Sequence, residues 1–362
     1  MARLTAWGRK EWLLVSGAIL LLATALKLGR LPVLSGDEII LLLLLWGLFT
    51  TVKGLENTGL LEGIAWRAEK SGNITIKITL LTFLLAALVT NDAALVIIVP
   101  LTMTTNLPGK DWLIILEALA ANAGSALTPF GNPQNLFIYW HYSLRFMEFV
   151  AVMAPFSLVS LTALLIFGRL VSGTEEKHRA MPAGTGPCAC ARAALSASAL
   201  MMVILVILHL LPIAGLIPAL LIMLLTDATA LKTDYALLAT FAVFMALSGN
   251  LRDMLGMEIA DPHFVFAISA LSSQVVSNVP VAVSMARMTG NWQALAWGTN
   301  AGGYGTLIAS MANLIAWRFY TRPVSDGAQR RRFTMRFLAA GAVMLALLGL
   351  AWMLRSLLVA TS

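Results

Sequence analysis

Residues 122–136 read N-A-G-S-A-L-T-P-F-G-N-P-Q-N-L, and residues 300–314 read N-A-G-G-Y-G-T-L-I-A-S-M-A-N-L. A shift of 178 positions superposes the two stretches. It places Asn122 on Asn300, Gly124 on Gly302, Thr128 on Thr306 and Asn135 on Asn313. A short polar motif precedes each stretch, Thr90-Asn91-Asp92 in the first case and Ser277-Asn278-Val279 in the second. The chain therefore carries the same polar, glycine-rich arrangement twice.

The composition shows what surrounds these polar elements. Of the 362 residues, 59% are hydrophobic and only 12% are charged. A soluble domain cannot bury so much apolar surface, and the long apolar runs differ from the alternating pattern of a membrane barrel. We therefore expect an all-α polytopic membrane protein. The first apolar run has no cleavage signal after it and is taken as a retained span.

Two apolar segments are too short on either side of their polar motif to cross a bilayer. Residues 74–105 surround the first motif and residues 264–288 surround the second. At 1.5 Å per residue, the arms of the first segment reach about 24 and 20 Å, whereas the hydrocarbon core is about 30 Å thick. Both segments are predicted to be re-entrant hairpins, which membranes tolerate where protein or water satisfies the backbone.

Two longer segments, residues 111–139 and 294–317, cross the membrane as broken helices, because polar residues interrupt each one. Asn132 and Pro133 suit a helix restart, with Asn as the N-cap and Pro at the first helical position. Together with about nine full spans, these elements form two repeats, residues 1–171 and 193–362, joined by a cytoplasmic linker at 172–192.

The lysine and arginine residues indicate how the repeats are oriented. If the N-terminus is cytoplasmic, most of the 25 basic residues lie in short cytoplasmic segments, as the positive-inside rule requires. The first hairpin then enters from the cytoplasm and the second from the outside, so the repeats have inverted topology. The C-terminus is predicted to lie outside. The net charge of +7 is explained by this bias and does not indicate a nucleic-acid partner.

In this arrangement four helix starts, those after Asn91, Asn132, Asn278 and Ser310, point at the middle of the membrane. Helix N-termini expose free N–H groups and a partial positive charge that favour anions, while nearby amide and hydroxyl oxygens suit a small cation. Glycines such as Gly131 let a ligand approach the backbone. Small polar residues also pack helices together in membranes, so any single one of them has a structural explanation as well.

The predicted substrate-binding residues are Asn91, Thr128, Gly131, Asn132, Asn278, Thr306 and Ser310. The predicted ion-coupling residues are Thr90, Asp92, Asn122, Asn135, Ser277, Asn300 and Asn313.

Asp92 is the acidic member of this set, and its counterpart is Val279. A carboxylate at a helix start within the membrane is costly unless it is paired, protonated or bound to a cation. We therefore predict that Asp92 handles a coupling proton or Na⁺; the alternative is that it only caps the hairpin arm. Glu117 lies in the first broken span and is expected to reach the interface; the alternative is that it is a second titrating group. Arg287 is expected to anchor the second hairpin at the interface rather than to bind the substrate. No catalytic residue, cofactor or metal site apart from a possible Na⁺ site is predicted.

The chain resembles the ion transporter superfamily, which includes arsenite efflux permeases, NhaD-type sodium/proton antiporters, citrate permeases and divalent anion/sodium symporters. The resemblance rests on T-N-D-A-A-L-V-I-I-V-P-L-T at residues 90–102, T-P-F-G-N-P-Q-N at 128–135 and S-N-V-P at 277–280. It implies ion and substrate sites at the hairpin tips and helix breaks, an elevator-like movement, a bacterial inner-membrane location and a homodimer. The hairpin tips lack the paired Ser-Asn-Thr of dicarboxylate symporters and look more like the arsenite and antiporter branch.

Three functions remain compatible with the sequence. The first is a secondary active transporter of a small anion or a metalloid oxyacid such as arsenite, coupled to H⁺ or Na⁺. The second is a Na⁺/H⁺ antiporter with no anion substrate. The third is a passive channel, because paired re-entrant hairpins also build channels. An enzyme is not expected.

Overall fold

A computed structural model of the protein describes residues 11–30, 33–68, 73–104, 109–171, 187–256 and 258–361. Throughout these ranges the regular structure is helical, with sixteen α-helices and two short 3₁₀ turns. The first-half helices are α1 (Trp12–Leu28), α2 (Gly36–Glu56), α3 (Leu60–Ala68), α4 (Ile74–Leu88), α5 (Asn91–Thr104), α6 (Lys110–Ser125), α7 (Pro133–His141) and α8 (Phe146–Val171). The second-half helices are α9 (Pro187–Ile207), α10 (Leu216–Thr226), α11 (Tyr235–Leu255), α12 (Pro262–Val276), α13 (Asn278–Ala286), α14 (Trp292–Gly302), α15 (Met311–Thr321) and α16 (Gly327–Thr361).

Several of these helices match the dimensions of a lipid bilayer. Five helical segments are long and apolar enough to cross one: Gly36–Glu56, Phe146–Val171, Cys190–Ile207, Ala228–Met254 and Gly327–Leu358. Other apolar helices are shorter, including α1, both arms of the first hairpin, α10 and α12. The chain is thus a polytopic α-helical membrane protein. The predicted total of about nine full spans stays a prediction.

Both predicted hairpins are pairs of short helices, but their second arms begin earlier than expected. The predicted arm at residues 93–105 begins at Asn91, because the Thr90 hydroxyl caps the helix by accepting a 3.2 Å hydrogen bond from the Ala93 N–H. The predicted arm at residues 281–288 begins at Asn278. Pro280 is accommodated because the first turn of a helix has no partner for its N–H groups.

Both predicted helix breaks are present. Residues 126–132 separate α6 from α7, and residues 303–310 separate α14 from α15. Asn132 caps α7 as expected: its side-chain oxygen accepts a 2.9 Å hydrogen bond from the Asn135 N–H, and Pro133 is the first helical residue. Ser310 occupies the corresponding place before α15, but its side chain makes no capping hydrogen bond.

Other boundaries differ from those expected. Helix α9 begins at Pro187, inside the segment assigned to the linker, because proline is well suited to a first helical position and an alanine-rich run follows. Residues 172–186 of the linker lie outside the described residues. The predicted span at residues 213–226 is a 3₁₀ turn, Ile213–Gly215, followed by the eleven-residue helix α10.

Glycines set the distance between each hairpin and its broken helix. A Cβ atom at Gly124 in α6 would overlap the carbonyl oxygen of Phe83 in α4, and one at Gly298 in α14 would lie 2.6 Å from the carbonyl oxygen of Phe266 in α12. Helix α5 also packs on α15, and α13 packs on α7, so each hairpin contacts the broken helix of the other half. This packing brings both helix breaks and both hairpin tips together.

Loops that were predicted to share one membrane side meet at the same end of the molecule. At the end predicted to be outside, Arg30 forms an ion pair with Asp253, and Glu38 with Arg287. At the opposite end, Arg336 forms an ion pair with Asp111. Which end faces the cytoplasm, and where the termini lie, stays a prediction.

Candidate functional site

Two pairs of asparagines join the helix breaks of the two halves. The Asn122 side chain donates a 2.9 Å hydrogen bond to the side-chain oxygen of Asn313, and the Asn300 side chain donates a 2.7 Å bond to that of Asn135. The two bonds are related by the 178-residue shift, since Asn122 corresponds to Asn300 and Asn135 to Asn313. Each half therefore supplies one donor and one acceptor to the same interface.

The residues that precede the second half-helices extend this network. Asn132 donates a 3.1 Å bond to the side-chain oxygen of Asn300, and the Ser310 hydroxyl donates a 3.1 Å bond to that of Asn122. Asn132 and Ser310 again differ by 178 positions. The predicted residues thus form two hydrogen-bonded groups, Asn122 with Asn313 and Ser310, and Asn300 with Asn132 and Asn135. Ser125 joins the two groups, because its hydroxyl accepts a 3.2 Å bond from the Asn132 side chain and donates a 3.2 Å bond to the Asn122 carbonyl. We call the six predicted residues the amide cluster.

The hairpin tips are attached to the breaks in the same way in both halves. The Asn91 N–H donates a 3.1 Å bond to the Gly131 carbonyl, and the Asn278 N–H donates a 3.0 Å bond to the Ala309 carbonyl. The Asn91 side chain also approaches the amide cluster, with a 3.5 Å bond to the side-chain oxygen of Asn122. The Asn278 side-chain nitrogen faces Gly303: a Cβ atom added at Gly303 would lie 3.2 Å from this nitrogen.

Thr128 and Thr306 fix the breaks to the first arms of the hairpins. Their hydroxyl groups donate 2.8 Å bonds to the carbonyls of Ala87 and Gln274, respectively. The carbonyls of Thr128 and Thr306 in turn accept bonds from the Asn135 and Asn313 side chains. These two threonines therefore connect the hairpins to the amide cluster and do not point freely into a pocket.

The amide cluster is closed in this conformation. Each of its six members is at most 5% exposed. No lysine or arginine of the described chain takes part in its hydrogen bonds. A ligand would reach these groups only if the breaks and the hairpin tips moved apart.

Asp92 has a different environment from the amides. One carboxylate oxygen, Oδ1, is buried and has no hydrogen-bond partner within the described residues. The acidic residues Glu56 and Asp234 lie close enough to act on it electrostatically. A carboxylate with a free buried oxygen and acidic neighbours can bind a proton or a small cation.

The other hairpin tip carries backbone strain. Ser277 has φ +76° and ψ 152°, a conformation that residues with a side chain rarely adopt. Its hydroxyl contacts the Ala309 carbonyl at 3.3 Å. Strain of this kind persists where the surroundings impose it, and it concentrates at ligand sites and switch regions.

One sequence prediction about a charged residue was wrong, and a second charged residue has an unforeseen partner. Glu117 does not reach a surface: it is fully buried and accepts a hydrogen bond from the hydroxyl of Thr102 in α5. Arg287, the expected anchor at the end of the second hairpin, pairs with Glu38 at the start of α2, and its anchoring role stays a prediction. Both partners are more than a dozen residues away along the chain and could not be identified from local sequence.

The sequence analysis missed Gln274, which precedes the second hairpin tip. Its side chain forms three hydrogen bonds: two hold the second helix break, at Gly302 and Thr306, and the third goes to the Ala270 carbonyl of its own helix. A glutamine within an apolar helix arm indicates a hydrogen-bonded position, because an amide inside a membrane needs partners. The first half has Ala87 at the corresponding place, so a comparison of the two repeats does not identify Gln274.

A separate cavity of about 930 Å³ lies at the end where Glu38 and Arg287 meet. His141, His209 and Tyr142 also line it, and Tyr142 holds the end of the second hairpin through contacts of 2.9 and 2.7 Å to the Ala286 and Thr289 carbonyls. None of the predicted site residues lines this cavity. It lies at one end of the protein and is distinct from the amide cluster.

A comparison with protein families identifies the family of this chain. The family model described as CitMHS, citrate transporter, matches residues 4–299. The chain belongs to the CitMHS citrate transporter family. The predicted membership of the ion transporter superfamily is confirmed, and the family and its relatives are transporters rather than enzymes.

Individual relatives agree with this assignment. An uncharacterized transporter of Methanocaldococcus jannaschii is 33% identical over 311 residues, which cover 83% of this chain and 84% of the relative. The inner membrane protein YbiR of Escherichia coli is 35% identical over 315 residues, 80% of each chain. The silicon efflux transporter LSI3 of Oryza sativa is 35% identical over a shorter stretch of 109 residues, 28% of this chain and 22% of the relative.

Proposed function

We propose that this protein is a secondary active transporter of a small oxyacid or anion, and that the amide cluster and the hairpin tips bind the substrate. The observation that carries the proposal is the convergence of four helix starts on one set of amide and hydroxyl groups. When the halves separate, these groups and the helix N-termini become donors and acceptors for a small oxygen-rich ligand. Because the described chain supplies no nucleotide-binding motif, the driving force would be an ion gradient.

The chemistry of the cluster favours a neutral or singly charged substrate. Amides and hydroxyls both donate and accept hydrogen bonds, as the hydroxyl groups of arsenous or silicic acid do. A tricarboxylate such as citrate carries several charges, and Arg and Lys are the side chains that form the strongest hydrogen bonds with carboxylates. The absence of such side chains from the hydrogen bonds of the cluster argues for the oxyacid, and a silicon efflux transporter is among the relatives of this chain.

The hydrogen bonds support an organisation in two inverted repeats. Matched bonds recur at a shift of 178 positions in the breaks and at 187 positions in the hairpins, as for Asn91 and Asn278. Since the loops predicted to face opposite sides gather at opposite ends, the two repeats enter the site from opposite membrane faces. We propose that the bacterial inner membrane holds the protein with its N-terminus in the cytoplasm.

Asp92 is the proposed site of the coupling proton or Na⁺. It is adjacent to Asn91, its carboxylate has a free buried oxygen, and its neighbours Glu56 and Asp234 are acidic. The same features favour the second candidate, a Na⁺/H⁺ antiporter that carries no anion. The two functions differ in whether an oxyacid binds to the protein.

Ligand-dependent thermal stabilisation of the purified protein distinguishes them. Arsenite, silicic acid, phosphate and citrate would each be added at two pH values, with and without Na⁺. A ligand present at 100 times its dissociation constant stabilises the folded state by about 2.7 kcal/mol. We expect stabilisation by a neutral oxyacid, which Asn132→Ala abolishes. Stabilisation by Na⁺ alone, with no stabilisation by any oxyacid, would favour the antiporter.

A further inference from the structure

Gln274 fastens the second helix break to the second hairpin. Its side-chain oxygen accepts a 2.8 Å hydrogen bond from the Thr306 N–H, and its side-chain nitrogen donates 2.7 Å and 2.8 Å bonds to the Gly302 and Ala270 carbonyls. Gly305 makes room for it, because a Cβ at that position would overlap the amide. The break from Gly302 to Thr306 is therefore held from the hairpin side by one side chain.

The first half has no equivalent of these Gln274 side-chain bonds among the described residues. Ala87 corresponds to Gln274, since its carbonyl accepts the Thr128 hydroxyl just as the Gln274 carbonyl accepts that of Thr306. Leu127 stands where the second half has Gly305. The Thr128 N–H, which corresponds to the bonded N–H of Thr306, has no hydrogen-bond partner in the described part of the chain. The two breaks are thus held to different extents.

The segment from Gly302 to Thr306 orients the side chain of Asn313, which contacts the first half of the protein. The carbonyls of Gly303 and Thr306 accept 2.8 and 2.9 Å bonds from the Asn313 side chain. Asn313 then accepts the 2.9 Å bond from Asn122, whose own oxygen faces the side chain of Asn91. Asn91 immediately precedes Asp92, and its side-chain oxygen accepts a 2.9 Å bond from the Asp92 N–H. A continuous series of contacts therefore runs from Gln274 to Asp92.

We propose that Gln274 is a positioning residue for the coupling site at Asp92, and that it acts across the two halves through Thr306, Asn313, Asn122 and Asn91. Gln274 does not touch the coupling ion. It fixes the carbonyls that orient Asn313, and so fixes the amide that faces the first hairpin tip. This inference rests on the proposed role of Asp92 and names a residue on which that role depends.

Three variants test it. Gln274→Met keeps the approximate shape but removes all three side-chain bonds, and Gln274→Glu keeps the acceptor for the Thr306 N–H. Gln293→Met is the matched control, because Gln293 accepts a bond from Arg355 and lies outside the breaks and hairpins. Each variant would be reconstituted, and its transport current measured as a function of pH and Na⁺ concentration. Hydrogen exchange would be followed in peptides that contain residues 302–310 and 88–95.

We expect Gln274→Met to weaken the apparent affinity for the coupling ion about three- to tenfold, as the loss of one or two net hydrogen bonds implies, with less effect on the maximal current. Exchange should accelerate at 302–310 and also at 88–95, with a smaller change in Gln274→Glu and none in Gln293→Met. Acceleration confined to 302–310, with an unchanged ion dependence, would overturn the proposal. If the unmodified protein carries no current, the proposed function fails, and the exchange at 88–95 still decides whether Gln274 acts across the halves.

Discussion

The side-chain amide of Asn122 lies 2.9 Å from the side-chain oxygen of Asn313, although the two residues are 191 positions apart in the chain. Its counterpart is the 2.7 Å bond from Asn300 to Asn135. Together these bonds close the interface between the two helix breaks. If the substrate binds here, as we propose, it must replace these bonds, and the amide cluster would then link the closed conformation to binding.

The amide cluster should contribute to stability as well as to transport. Asn300→Ala leaves the Asn132 donor and the Asn135 acceptor without their partner in a buried environment, which costs about 1–3 kcal/mol for each unsatisfied group. We expect a clear loss of thermal stability in detergent together with loss of transport. Asn57→Ala is the control, because Asn57 bonds to Asp227 in an exposed position and its removal should cost much less. Equal melting temperatures for the two variants would contradict this account of the cluster.

Replacing Asp92 should separate coupling from folding. Asp92→Asn preserves the size of the side chain, and the free oxygen Oδ1 loses its charge without losing a hydrogen-bond partner. We expect normal expression and melting, but a transport rate that no longer depends on pH or Na⁺. Glu148→Gln in the first turn of α8 serves as the control for an exposed carboxylate and should keep that dependence. Retained ion dependence in Asp92→Asn would remove Asp92 from the coupling role.

The ion pair between Glu38 and Arg287 should stabilise the end of the second hairpin. The two side chains are 10% and 27% exposed, between the fully buried and fully exposed cases, so the loss of either charge should cost about 2 kcal/mol. Glu38→Gln is suitable because glutamine also completes the capping box that Glu38 forms with Ser35. A double-mutant cycle with Arg287→Gln should show that the two effects are not additive. Additive losses would mean that the residues act independently.

Close packing at the first hairpin predicts a strong effect of one methyl group. Gly124→Ala would place a Cβ against the Phe83 carbonyl, where backbone has to move, and such overpacking costs about 1–3 kcal/mol. Gly349→Ala in α16 is the matched control: no atom lies within 4 Å of the added Cβ, and a helical Gly to Ala change gains up to about 1 kcal/mol. Opposite shifts in melting temperature are expected. A tolerated Gly124→Ala would show that α4 and α6 are packed less tightly than described.

The sequence predicted the parts of the site that depend on local chemistry. The Asn132–Pro133 restart, the interruptions in both broken helices and the hairpins around Asn91 and Asn278 all follow from capping, proline and glycine preferences. The predicted hairpin arm after Asn91 begins two residues late, because the local pattern does not show that Thr90 caps the helix. These are errors of boundary, which local preferences determine poorly.

Contacts between distant residues could not be predicted in the same way. The bonds of the amide cluster join residues 165 to 191 positions apart, and repetition shows only that both copies matter, not that they bond to one another. Gln274 was missed because its counterpart is Ala87, and Glu117 was misplaced because its neighbour Thr102 lies on another helix. Tertiary packing decides each of these cases.

The most direct test of the proposed function is the current produced by purified protein in liposomes on a solid-supported membrane. The liposomes would be exposed in turn to arsenite, silicic acid, phosphate, citrate and a Na⁺ jump, each at two pH values, with Asn132→Ala alongside. We predict a saturable current with a neutral oxyacid that depends on pH or Na⁺ and is absent in Asn132→Ala. A current with Na⁺ and pH alone, unchanged by every oxyacid and anion, would contradict a substrate site in the amide cluster.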